Sequence, residues 1–534
     1  MAITSLIKLK NLEEFSLENI NSSDEQEIIS EYLTDEAGAM KGEAEKIFFP
    51  ETEEQVVSVL KWAYDNHTPV TISGGGTGIT SSRVPLGGVI LSTDKLVKVR
   101  DIPEWKNRKI EHEGMEADVS FYLNSQDALA VVPAGLSLND LNAVIADMPL
   151  YYPPNPTEWS SLIGGNVSTN ASGGRSFKLG AIRPWVKRLR VILPTGELLE
   201  VQRGEIFADD LGNFKLEYPD GSQKELPIPG YEMPDVKNAS GLFSKPGMDL
   251  IDLFIGSEGI LGVITEVEFG LYKNEDELFG CIVFFGSEAD SLEFVKAARH
   301  KSRNPESVID AVTLDYFDKN SLEFIRKTES GVSETAEAAV FFEQFVPEDP
   351  DEVMMEWMEF FEEFNVIEDW SALTDKDRER LRLFRHSLPE NVNDIVRRRG
   401  VKKMGMDLAV PDDRLEDIFK IYKTKGNESG IDYVVFGHIG DNNLHMNFMA
   451  KDTGELQKVK EVYLEIAREG IEMGGTISAE HGVGKKQFPV EGRMIPYLQF
   501  MYPEDDLKKT ARVKKVVDPE GLLNRGNVIP ESYL

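Results

Sequence analysis

The stretch from Val434 to Asn447, Val-Val-Phe-Gly-His-Ile-Gly-Asp-Asn-Asn-Leu-His-Met-Asn, admits few backbone paths. A β-branched apolar run enters it, Gly-Asp-Asn-Asn supplies residues that tolerate tight turns, and Leu-His-Met-Asn-Phe leaves it, which is a hairpin signal. His438 and His445 lie seven residues apart, so one continuous strand would send them to opposite faces. Folded back across the turn they face each other, and Asn447, two residues beyond His445, shares that side. Further on, Gly474-Gly-Thr-Ile-Ser-Ala-Glu480-His481-Gly-Val-Gly-Lys485 places a carboxylate beside another imidazole in a glycine-rich loop. Two histidines and one glutamate suit a catalytic divalent metal that keeps an open coordination position. A lone strand histidine is ordinarily structural, yet three of the chain's seven histidines fall in this one region.

Length and charge narrow the classes around that feature. At 534 residues the chain has material for two or three domains. A net charge of −35 argues against nucleic acid or an anionic lipid surface as a partner. Against it, Arg397-Arg-Arg-Gly-Val-Lys-Lys403 is a basic island, read as a solvated helix end, with focusing of an anionic substrate as the alternative. No run of about 18 apolar residues predicts a membrane-spanning helix, and the Met1–Lys10 segment lacks the pattern of a signal peptide. The single cysteine, Cys281, excludes an intrachain disulfide framework and a cysteine zinc site. The simplest expectation is a cytoplasmic protein, with attachment at a membrane surface left open.

Residues 1–45 are polar and acidic and read as a helical lead-in. Glu51-Thr-Glu-Glu-Gln-Val-Val-Ser-Val-Leu-Lys-Trp-Ala then predicts an amphipathic helix with an acidic first turn. Pro69–Ser73 is a short strand, broken by Gly74-Gly-Gly-Thr-Gly-Ile-Thr80. Glycines there let backbone N–H groups approach an anion such as a diphosphate. The spacing is neither Gly-x-Gly-x-x-Gly nor Gly-x4-Gly-Lys-Ser/Thr, so the dinucleotide-fold and phosphate-loop motifs both fail. Tyr151-Tyr-Pro-Pro-Asn-Pro156 and Ile163-Gly-Gly-Asn-Val-Ser-Thr-Asn-Ala-Ser-Gly-Gly174 are small-residue segments suited to wrapping a flat ligand with backbone donors. Leu189–Val201 reads as a hairpin, and residues 203–240 as an insertion of turns. After Lys273, strands such as Cys281–Phe285 and Ala339–Phe345 alternate with helices, which predicts an antiparallel sheet with helices on one side.

Taken together, these segments resemble the FAD-linked oxidoreductases of the vanillyl-alcohol-oxidase type. The branch is that of D-lactate dehydrogenases, glycolate oxidase flavoprotein subunits and D-2-hydroxyglutarate dehydrogenases. The motifs that carry the resemblance are the Gly74–Thr80 loop, Ile163-Gly-Gly-Asn, Gly256-Ser-Glu-Gly-Ile-Leu-Gly, Gly437-His-Ile-Gly-Asp-Asn-Asn-Leu-His, Ser478-Ala-Glu-His-Gly-Val-Gly and Asp518-Pro-Glu-Gly-Leu-Leu-Asn. It implies an α+β fold: an FAD-binding domain over 46–272, a ferredoxin-like substrate cap over 273–500, and a closing segment, 501–534, that returns to the flavin. By position, Gly74, Gly75, Gly76, Thr77 and Gly78 would hold the diphosphate. Pro154, Gly164, Gly165, Thr169, Asn170 and Gly173 would lie along the cofactor, with Ile264 and Asn524 beside it. No histidine lies in the glycine loop, which points to non-covalent FAD. His438, His445 and Glu480 match the family's metal ligands for Zn2+ or Mn2+, Asn447 and Arg385 its substrate contacts, and His481 its base. Ser73 stands where an arginine is common, and Asn524-Arg-Gly-Asn replaces Asn-Pro-Gly-Lys. His386 and Pro389 break the Arg-Glu-x-x-Thr pattern, and Lys403 is displaced by two positions relative to Asp407, so a second carboxylate pocket is not defined.

The resemblance implies oxidation of a D-2-hydroxy acid, D-lactate first among them, to the 2-oxo acid. A metal would orient the substrate, His481 would take the hydroxyl proton, and hydride would pass to flavin N5. Arg385 and Lys403 would steer and clamp carboxylate, or serve only as surface ion pairs. The electron acceptor leaves no motif: a quinone, a cytochrome, an electron-transfer flavoprotein or O2 all fit, and a homodimer is left open. Two rival readings share the fold. One is a non-redox transferase resembling alkyl-dihydroxyacetone-phosphate synthase, whose histidine run is replaced here by Ala479-Glu480-His481. The other is a non-catalytic flavin electron-transfer subunit, for which a base at His481 would be superfluous.

Overall fold

Apolar residues recur along one side of the Glu53–Asp65 helix, and Val56, Val57, Val59, Leu60 and Ala63 are buried there. The Thr52 side chain accepts the Gln55 N–H at its start, and Glu53 and Glu54 occupy the first turn, where the helix end favours anions. The structure is a computed structural model. It describes residues 4–534 apart from Glu116, Ser330, Leu373 and Lys402, and only the backbone of Asp375. Met1–Ile3 of the lead-in and Lys402 of the basic island thus lie outside the described residues.

The buried face of this helix packs on a four-stranded sheet in the order Ser22–Ser23, Lys46–Phe48, Val89–Ser92, Val70–Ser73, whose last three strands are parallel. The glycine loop leaves the carboxyl end of Val70–Ser73. A second, six-stranded antiparallel sheet runs in the order Leu198–Gln202, Val186–Ile192, Val263–Gly270, Leu129–Pro133, Asp118–Asn124, Lys109–Glu113. The hairpin expected over Leu189–Val201 is its Val186–Ile192 and Leu198–Gln202 pair.

The first 45 residues are not a helical lead-in. Their longest helix is the five-residue Gln26–Ser30, and Leu6–Lys8 pairs in parallel with Asn213–Glu217, part of a hairpin with Gln223–Pro227 in the 203–240 insertion. Ile7 and Leu9 are buried while Lys8 and Lys10 are exposed. That period of two, short as it is, outweighs the polar composition.

Beyond Lys273 the chain builds an antiparallel sheet. Its order is Val366–Ser371, Glu277–Phe285, Ala338–Val346, Thr313–Phe317, Tyr433–His438, Asn443–Phe448, Met404–Gly405, with Leu408–Ala409 also on Asn443–Phe448. Helices cover both faces, not one. Phe294 and Trp357, from the Glu288–Ser302 and Asp351–Glu362 helices, pack against Phe342 and Phe285. On the opposite face Leu381, Phe384, Leu388 and Val392 of the Asp375–Arg399 helix join Ile282, Phe284, Phe317 and Phe341. Arg397, Arg398 and Arg399 of the basic island form the last turn of that helix, before a left-handed Gly400.

The closing segment is bound into the first domain. Lys514, buried on the Glu504–Val517 helix, donates to the Ile260 and Leu523 carbonyls at 3.0 and 2.7 Å and to Asp518 at 2.8 Å. Leu522 and Asn524 exchange backbone bonds with Val70, and the Asn524 side chain accepts the Ile72 N–H at 2.7 Å and donates to the Glu258 carbonyl at 2.9 Å. Lys514→Met removes one half of a buried ion pair and leaves Asp518 uncompensated. The expected cost is about 3–5 kcal/mol, read as a lower urea midpoint for the first domain.

Candidate active site

The Val434–Asn447 stretch is a hairpin: Tyr433–His438 and Asn443–Phe448 pair antiparallel around a short helical turn, with Phe436 opposite His445 and His438 opposite Asn443. His438 and His445 thereby share one face, their ring centroids 5.6 Å apart. Asn447 is buried on the same side with its side-chain oxygen against Gly405, where a Cβ would approach to 2.6 Å.

Glu480 points into this pair. His445 Nε2 is 3.2 Å from Glu480 Oε1, His438 Nε2 is 3.7 Å from Oε2, and His481 Nε2 is 3.4 Å from Oε1. The outer nitrogen of each ring is engaged elsewhere. His438 Nδ1 donates to Asp315 at 2.6 Å, His445 Nδ1 to the Met406 carbonyl at 3.3 Å, and His481 Nδ1 to Asp407 at 2.9 Å. These partners leave each neutral Nε2 as a lone pair, so three acceptor nitrogens face an acceptor-only carboxylate. Such a set repels itself unless a cation sits within it. Four carboxylates, Glu480, Asp407, Asp315 and Asp441, crowd this largely buried site, with Lys237 paired to Glu480 and Arg385 to Asp315.

Ligand atoms of His438, His445 and Glu480 lie within 4.8 Å of one another, as do those of Asp407, Glu480 and His481. Asp407 is the poorer ligand, because its oxygens already accept from Ser478 Oγ, Asn443, His481 Nδ1 and the backbone N–H groups of Glu480 and His481. His481 is also the most open of the rings, at 32% side-chain exposure against 11% and 13% for His438 and His445. Burial would raise the carboxyls of Asp407, Asp315 and Glu480. Their partners outweigh it: the His481 Nδ1–H and two backbone N–H groups on Asp407, the Arg385 guanidinium and the His438 Nδ1–H on Asp315, and the Lys237 ammonium on Glu480. All three are held well below the usual carboxylate range.

The first domain meets the cluster directly. Ser172 Oγ donates to Glu480 Oε2 at 3.2 Å and Lys237 Nζ to the same oxygen at 2.8 Å, while Ser176 donates to Asp441 at 2.6 Å. Ser172 belongs to the small-residue segment expected to wrap a flat ligand. Gly74 lies beside Thr93, Gly75 packs on the Ser160 carbonyl, and Gly76 takes a positive φ of 80° against Arg83. Thr77 is half-buried, and Gly78 has no neighbour within 4 Å where a Cβ would point. Gly165 opens into the same kind of space, whereas a Cβ on Gly164 would lie 2.7 Å from Ala134 Cβ. Gly173 packs on the Asn155 carbonyl beside the buried Pro154, and Thr169 Oγ1 bonds back to Gly165 at 3.1 Å. Asn170 accepts the Arg183 N–H at 3.2 Å, and Ile264 is buried on the strand behind. Asn524 reaches this wall from the closing segment. Bare backbone around open space is the cradle a planar dinucleotide cofactor requires.

The two expected carboxylate-binding cations already have partners within the protein. Arg385 Nε is committed to Asp315 at 2.7 Å, which makes it a support for His438, with its guanidinium against Gly174. Lys403 is exposed and donates to Asn393 at 2.8 Å. Sequence reading missed Asp315, Lys237 and Ser172, and took Asp407 only as a marker of register. Asp315 had a readable signal, an acidic residue in the apolar Thr313–Phe317 strand; Lys237, in a turn-rich insertion, had none.

This geometry brings a polar cluster of the second half against a glycine-lined wall of the first. Family models for "FAD binding domain" and "FAD linked oxidases, C-terminal domain" match residues 44–202 and 283–528. Among curated proteins, the chain is 25% identical to a D-lactate dehydrogenase of Archaeoglobus fulgidus over 90% of both chains. It is 23% identical to the glycolate oxidase subunit GlcD of Bacillus subtilis, over 98% of this chain and 97% of that one. A D-2-hydroxyglutarate dehydrogenase of Stutzerimonas stutzeri is 24% identical over 90% of both. A solved alkyldihydroxyacetonephosphate synthase superposes with a TM-score of 0.63 over 97% of this chain and 88% of that one, at 14% identity, a likeness of fold. The chain belongs to the FAD-linked oxidoreductases of the vanillyl-alcohol-oxidase type, in the branch of these hydroxy-acid dehydrogenases. Its flavin-binding half gives the Gly165 position a direct test. Gly165→Leu should keep the melting temperature yet purify without flavin, whereas Gly164→Leu should also lower the melting temperature.

Proposed function

We propose that the protein oxidises a D-2-hydroxy acid, D-lactate foremost, to the 2-oxo acid. The relatives' names support hydroxy-acid oxidation. The observation that carries the reading is the convergence of three imidazole Nε2 atoms on Glu480 at the seam of the flavin-binding domain and its cap. Bound FAD supplies the hydride acceptor, held non-covalently by the glycine loop and the Gly164–Gly173 segment. A divalent ion, Zn2+ or Mn2+, held by His438, His445 and Glu480, supplies Lewis acidity worth several kcal/mol to a developing alkoxide.

The remaining work belongs to side chains. His481 Nε2 takes the substrate hydroxyl proton, because Asp407 occupies Nδ1 and fixes the tautomer. Asp407 also holds the Glu480 and His481 backbone, so base and ligand keep their separation. Arg385 and Asp315 orient His438. Asn447 lines the chamber beside His445. Turnover would require an electron acceptor for the bound FAD, such as a quinone, a cytochrome or an electron-transfer flavoprotein.

Anaerobic addition of D-lactate, D-2-hydroxyglutarate and glycolate, separately, should bleach the flavin with at least one. His481→Ala should abolish that bleaching while flavin content is unchanged; full bleaching in the variant would remove His481 as base. Asp315→Asn should weaken divalent-metal binding by about 10- to 100-fold, measured by isothermal titration.

A further inference from the structure

Lys237 is the only cation that the flavin-binding domain places on Glu480 among the described residues, and it comes from the 203–240 insertion. Its side chain is 7% exposed. An ammonium carries three N–H donors, and one is used here, on Glu480 Oε2 at 2.8 Å. Asp441 Oδ2, the other carboxylate nearby, stands at 3.7 Å, beyond hydrogen-bond distance, and is already bonded by Ser176. A buried ammonium with unspent donors is costly unless something fills them. What fills them must accept hydrogen bonds and must fit beside Glu480.

In the cap, Arg385 Nε is held by Asp315 and Lys403 by Asn393, whereas Lys237 bonds Glu480 itself. A carboxylate has two oxygens, so one can serve an ion held by Glu480 and the other the ammonium that bonds the Oε2 atom facing His438. Resting on the functional reading above, we propose that Lys237 binds the carboxylate of the 2-hydroxy acid. The flavin-binding domain thereby supplies the substrate-anchoring cation, and substrate spans the domain seam.

The test uses the FAD-loaded, Zn2+-saturated protein and oxalate, a redox-inert chelating carboxylate, titrated by the change in flavin absorbance. Lys237→Gln should weaken oxalate binding by about 10- to 100-fold, and Lys237→Arg should restore most of it. Flavin content and Zn2+ affinity should stay near wild type, and KM for the hydroxy acid should rise more than kcat falls. Unchanged oxalate affinity in Lys237→Gln overturns the proposal. A parallel loss of Zn2+ affinity also overturns it, since Lys237 would then only position Glu480. A wild-type protein that binds no divalent metal would instead bring down the functional reading, and this proposal with it.

Discussion

A buried carboxylate, Asp407, joins the two chain segments on which the chemistry depends. It stands beside the Leu408–Ala409 strand and collects the Ser478 hydroxyl, the Asn443 amide, His481 Nδ1 and two backbone N–H groups of the Glu480–His481 loop. An unpaired charge so placed would be costly; with five donors it becomes a rivet. One side chain therefore sets the aim of Glu480, the tautomer of His481 and the path of the loop that carries both. A second carboxylate, Glu258, does the same from the flavin-binding side by accepting the Val483 and Gly484 N–H groups just beyond that loop.

The organisation around that rivet was legible in unequal measure. The hairpin from Val434 to Asn447 could be read because turn residues and a period of two leave one solution, and His438 and His445 followed from it. The glycine loop and the Ile163–Gly174 segment were legible as backbone without side chains, though what they wrap came from family resemblance. The N-terminal strand was hidden by charged neighbours, since three residues are too few for periodicity to outvote composition. Only the basic end of the Asp375–Arg399 helix was legible, because charged residues and an internal Pro389 mask the Phe384–Leu388–Val392 stripe that covers the sheet's second face.

The supports of the site were least legible, and for a physical reason. Asp315, Asp407 and Lys237 matter through partners far away in sequence: Asp315 to His438, Asp407 to His481, Lys237 to Glu480. Local pattern carries no trace of pairings that long. Arg385 illustrates the converse. Its residue type was readable as a carboxylate partner, and its Nε is paired with a carboxylate the protein itself supplies, Asp315.

Asn524 lies 452 residues from Ile72, yet it closes the strand from which the glycine loop springs. Order of synthesis gives that contact a temporal meaning. A nascent chain makes its glycine loop early, but the strand edge beside it gains Leu522 and Asn524 only after residues 273–500 have been translated. The edge beside the glycine loop is therefore completed only after Asp407, Glu480 and His481 have been synthesised.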